Sequence, residues 1–94
     1  MLLAAPSLLD STTVLTLAAN TAQTVNVPTT QLCKFVTVNV SGSTYITGNK
    51  TATTSNGIFL PQAGSYQFSL AGVNTVSLIA TSSTTVSLTF GSQY

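Results

Sequence analysis

From residue 12 onward, apolar and polar residues alternate with a period of two, the spacing of strands with one face buried. Val36, Val38 and Val40 alternate with Thr37 and Asn39, and Tyr66, Phe68 and Leu70 share one face. Val76, Leu78 and Ala80 do the same, as do Val86, Leu88 and Phe90. The pattern predicts strands over residues 12–17, 23–27, 33–40, 43–47, 58–60, 65–70, 75–80 and 84–90. Turn chemistry separates them: Pro28, Ser41-Gly42, Gly48-Asn49, Asn56-Gly57, Pro61 to Gly64 and Ala71 to Asn74. Asn56-Gly57 is a strong turn signal. Thr-Val-Ser-Leu stands at 75–78 and again at 85–88, with Thr81-Ser82-Ser83 between, which reads as a closing hairpin. No convincing helical period occurs after residue 12.

Eight short strands at this turn spacing predict an all-β fold, a single antiparallel β-sandwich of jelly-roll type. Its expected inward set is Val25, Val27, Val36, Val38, Val40, Ile46, Ile58, Leu60, Tyr66, Phe68, Leu70, Val76, Leu78, Val86, Leu88 and Phe90. The expected organisation is an N-terminal arm over residues 1–11 and a β-sandwich domain over residues 12–94. The arm has no basic start, and Pro6 breaks its apolar run, so it does not read as a signal peptide. Leu2, Leu3, Leu8 and Leu9 give it apolar groups at both ends, and they are the candidate partner-binding residues.

Charge narrows the function classes. Of 94 residues, Asp10, Lys34 and Lys50 alone are charged, 3% of the chain against about 25% in an ordinary domain. One acid cannot supply a paired-carboxylate mechanism, and without histidine there is no Ser-His-Asp or Cys-His relay. One cysteine and one acid cannot close a transition-metal shell. Two lysines do not form a phosphate-binding patch. No apolar run approaches membrane-helix length. The expectation is therefore a protein that is not an enzyme, takes no cofactor and binds neither nucleic acid nor membrane. Its 18 threonines and 12 serines supply a surface that hydrogen-bonds without charge. Such a surface offers little repulsion between copies, and its edge strands lack the usual charged gatekeepers.

Cys33, at the head of an apolar strand, reads as a packing thiol. Asn39-Val40-Ser41 and Asn49-Lys50-Thr51 match the glycosylation triplet at the frequency chance gives in so Ser/Thr-rich a chain. Thr51-Ala52-Thr53 hints at an ice-binding face but lacks a sustained repeat. Tyr45, Tyr66 and Tyr94 are available to a sugar platform, though Tyr66 reads as core and Tyr45 as a strand-edge residue.

The order Tyr45-Ile46-Thr47-Gly48, Thr53-Thr54-Ser55-Asn56-Gly57, Ile58-Phe59-Leu60, Pro61-Gln62-Ala63-Gly64 and Val76-Ser77-Leu78-Ile79-Ala80 resembles small β-sandwich virion proteins of tailed bacteriophages, in particular capsid cement or decoration proteins. The resemblance covers about residues 33–90 and rests mainly on turn motifs, with Thr47-Gly48 where that group has a Gly-Gly pair. It implies a virion protein on the outer surface of the phage head. Its partners would be the major capsid protein and further copies of itself, as a homo-oligomer such as a trimer. The alternatives are another β-sandwich assembly module (a tail or head-fibre component, or a surface fibre subunit) and, ranked lower, a carbohydrate- or ice-binding module.

Overall fold

A computed structural model describes residues 7–27 and 35–93, with side chains described for 12–27 and 35–91. Among the described residues there are eight strands and no helix. They are β1 (Ser7–Leu17), β2 (Gln23–Asn26), β3 (Phe35–Val40), β4 (Thr44–Gly48), β5 (Ile58–Leu60), β6 (Gly64–Ser69), β7 (Thr75–Ile79) and β8 (Thr84–Gln93). They form two antiparallel four-stranded sheets, ordered β1-β8-β3-β6 and β2-β7-β4-β5. Strand pairs β1·β8, β2·β7, β3·β6 and β4·β5 are those of a two-stranded ribbon folded at its middle and rolled over itself, which is the jelly-roll path.

The core lies between the sheets and is filled by every second residue. Val86, Leu88 and Phe90 from β8 meet Val76 and Leu78 from β7, with Val36, Val38 and Val40 from β3 beside them. Val25, Val27, Tyr66 and Phe68 pack against this core half-buried, near its margins. Leu17 and Ala52 are also buried, although the alternation did not single them out, and Ala80 is buried on the face it shares with Val76 and Leu78. Ile58 departs from expectation in the other direction. Its side chain is 58% exposed, because three-residue β5 is the outermost strand of its sheet.

Two further expectations need correction. The segments 75–80 and 84–90 are not a hairpin: β7 pairs with β2 and β4, and β8 with β1 and β3. The chain arches from one sheet to the other over residues 80–83, so the two Thr-Val-Ser-Leu copies face each other across the core. The turn expected at Asn56-Gly57 is present, and it closes a longer loop, over residues 49–57, that joins β4 to β5. In it Asn56 Oδ1 accepts from Thr53 N–H at 2.9 Å, and Asn56 Nδ2 donates to the Thr51 carbonyl at 3.1 Å. β1 also begins at Ser7, five residues before the start at Thr12 that the alternation predicts. Ser7, Leu8 and Leu9 pair with Gln93, Ser92 and Gly91 of the same chain. Asp10 is the extra residue where the register shifts between Leu9 and Ser11, a β-bulge.

Candidate interaction surfaces

The outer face of the β1-β8-β3-β6 sheet is an uncharged polar grid. Register aligns Thr12, Thr89, Thr37 and Gln67 in one row across the four strands, and Val14, Ser87, Asn39 and Ser65 in the next. The Thr12 and Thr89 hydroxyls lie 3.3 Å apart, and Gln67 Nε2 lies 3.5 Å from Thr37 Oγ1. Side chains at this spacing satisfy one another and leave hydroxyl groups for a partner. Among the described residues Val14, 67% exposed, and half-buried Phe35 are the large apolar side chains of this face, and Val14 sits on the edge strand.

The opposite sheet is partly roofed by its own chain. The 49–57 loop folds over β7, where the Ala52 N–H donates to Ser77 Oγ at 2.8 Å and both residues are buried. Beside the roof, register places Phe59, Tyr45 and Ile79 in one outward row. The Tyr45 and Phe59 rings stack, tilted by 30° with centroids 4.8 Å apart, and Phe59 is half exposed. Tyr45 lies on β4, one strand in from the edge where the sequence had placed it. Gly57 permits the close approach of this loop, since a Cβ there would stand 2.9 Å from the Tyr45 Cβ and 3.2 Å from the Ile46 nitrogen.

Between the sheets, near Ile58, an apolar pocket of about 160 Å³ is lined by Val36, Ile46, Phe68, Leu70 and Val76 among others. Its walls carry no titratable group. Among the described residues no three of His, Cys, Asp and Glu come together. Across residues 12–27 and 35–91, Lys50 is the single charged side chain, exposed in the loop after β4. The arrangement can pack and hydrogen-bond.

Of the candidate arm residues, the backbone of Leu8 and Leu9 belongs to β1, and their side chains lie outside the described set. Leu2, Leu3 and Cys33 lie outside the described residues altogether. The surfaces of Val14 and of the Phe59–Tyr45–Ile79 row were not singled out from sequence. The signal for the first was present, an apolar residue on the threonine face of an uncharged strand. No family model, curated protein or solved structure matches the chain.

Proposed function

We propose that this chain is a structural virion protein: a cement or decoration protein that binds the outer surface of a bacteriophage head as a homo-oligomer and stabilises the capsid lattice. One observation carries the reading. The described side chains carry one charge, on a jelly roll whose outer faces offer hydroxyl and amide groups and small apolar patches. Such a surface suits contact with other protein far better than it suits chemistry on a small substrate. The resemblance of residues 33–90 to phage cement proteins points the same way.

The mechanism is mechanical. A protein that binds the assembled lattice but not free capsid subunits shifts the equilibrium toward the lattice by mass action. Several copies held together make weak single contacts collectively strong. Leu2 and Leu3, ahead of β1, together with Leu8 and Leu9, are the residues proposed to clasp a neighbouring subunit.

Particles made by the genome that encodes the chain provide the test. Mass spectrometry is expected to find the protein in purified virions, and gold-labelled antibody is expected to decorate the head. Absence from virions, or label confined to the tail, overturns the capsid assignment.

A further inference from the structure

The four sheet edges are not alike. β5 and β2 have three and four residues, and β6 has six, whereas β1 has eleven. Short edges are a common protection against pairing with another chain, and β1 lacks it. From Ser11 to Leu17 it also lacks charge, proline and glycine, and its bulge lies before this stretch, at Asp10.

The hydrogen-bond pattern shows which backbone groups on β1 point away from β8. The Thr85 carbonyl accepts from Ser41 N–H at 3.0 Å, and the Thr85 N–H donates to Ser41 Oγ at 2.9 Å, so the backbone groups of Thr85 point away from β1. Thr16, opposite Thr85, therefore turns its own N–H and C=O to the open edge. Gln23 Nε2 reaches that carbonyl at 2.8 Å, which agrees. By the alternation of an antiparallel ladder, Val14 and Thr12 also turn their N–H and C=O outward. Among the described residues no strand pairs with this edge.

We infer that β1 is a self-association edge: two copies of this chain pair β1 to β1 antiparallel about a two-fold axis at Val14, joining two four-stranded sheets into one of eight. The register follows from the sequence. Centring on Val14 sets Thr12 opposite Thr16 of the second copy and uses the full uncharged stretch, Ser11 to Leu17. Asp10 then falls beyond the paired segment. Each Val14 donates to and accepts from the other, and each Thr12 does the same with the facing Thr16. The Thr16 carbonyl keeps a second lone pair for Gln23. On the outer face Val14 covers Val14, removing from water the most exposed large apolar side chain among the described residues. On the inner face the half-buried Leu15 meets Thr13 of the second copy, which extends the core across the seam. A second copy fits better than an unrelated strand because the edge complements itself: valine against valine, threonine against threonine, with no like charges apposed. This contact is two-fold, where the resemblance implies a three-fold one, and it does not depend on capsid binding.

Light scattering behind a sizing column, over a concentration series, is the test. The intact chain is expected at twice the chain mass and Val14→Lys at the chain mass, with the far-UV circular dichroism of the β fold retained. Phe59→Lys, on the other sheet, is expected to stay dimeric. Hydrogen exchange on the unmodified chain supplies a reading that needs no variant: the Val14 amide should gain protection as concentration rises. A monomer or trimer of the intact chain, a dimer that survives Val14→Lys, or a Val14 amide that exchanges freely in the dimer overturns the inference.

Discussion

The side chain of Asn49, at the end of β4, is bound to the backbone of Asn74 in the turn before β7. Asn49 Oδ1 accepts from the Asn74 N–H at 2.7 Å and from the Thr75 N–H at 3.3 Å, while its Nδ2 donates to the Gly72 carbonyl at 2.8 Å. Its own N–H donates to the Thr75 carbonyl at 2.9 Å, and its φ of 61° lies in the left-handed region that asparagine tolerates better than most residues. One amide thus ties the β6–β7 turn to the start of the 49–57 loop. With the amide so engaged, the Asn49-Lys50-Thr51 triplet has a structural explanation.

Asn49→Ala is expected to destabilise the fold by about 1–3 kcal/mol, through lost hydrogen bonds and left-handed strain on alanine. Asn49→Gly removes the strain alone and should recover part of that loss. Chemical denaturation of both variants checks this. Equal stability of the two would mean that backbone conformation contributes nothing here.

The buried Ser77 hydroxyl supports the loop from below. Ser77→Ala leaves the Ala52 N–H buried with no acceptor, and is expected to cost about 1–3 kcal/mol. Hydrogen exchange at Ala52 separates two outcomes: protection retained with lowered stability means a strained but closed loop, and protection lost means that the loop has lifted from β7.

Strand positions were legible because a period of two reports directly which residues share a face. Partnership between strands was not. Val76-Leu78 and Val86-Leu88 show the same alternation whether they sit side by side or face each other, and here they face each other. Ser77 was hidden for a related reason. Between Val76 and Leu78 it reads as an outward polar residue, and it is outward, but the loop covers it. The early part of β1 was missed because Leu8, Leu9 and Asp10 break the alternation where the bulge shifts the register. Of the interaction surfaces, the low charge was plain in the composition. Which edge stands open depends on strand order, and alternation does not encode that.

Gly57→Ala tests the close contact under the aromatic pair. The added methyl would meet the Tyr45 Cβ and the backbone of Ile46, neither of which can swing aside like a flexible side-chain end. A loss of about 1–3 kcal/mol is expected. The Tyr45–Phe59 stack should be disturbed with it, which near-ultraviolet circular dichroism or aromatic proton shifts would register.

Phe90 is fully buried at the middle of the β1-β8-β3-β6 sheet, opposite Ser11 on one side and Val36 on the other. Phe90→Ala is expected to cost about 3–5 kcal/mol, a large share of the stability of a domain this small. Phe90→Leu keeps most of the volume and should cost far less. Thermal unfolding of the two variants ranks them, and a Phe90→Ala protein as stable as Phe90→Leu would argue against a close-packed core at this position.

Salt provides a test that needs no substitution. A contact built on ion pairs weakens as the screening length shrinks, from roughly 14 Å at about 0.05 M salt to about 4 Å at about 0.5 M. The β1 seam proposed above contains no charged side chain between Ser11 and Leu17, so there is almost nothing for salt to screen. Self-association measured by light scattering is therefore expected to hold its midpoint concentration within about twofold across that range, or to tighten slightly as salt favours apolar burial. A tenfold weakening would mean that the contact runs through the charged groups, Asp10, Lys34 or Lys50, and would move the interface away from the centre of β1.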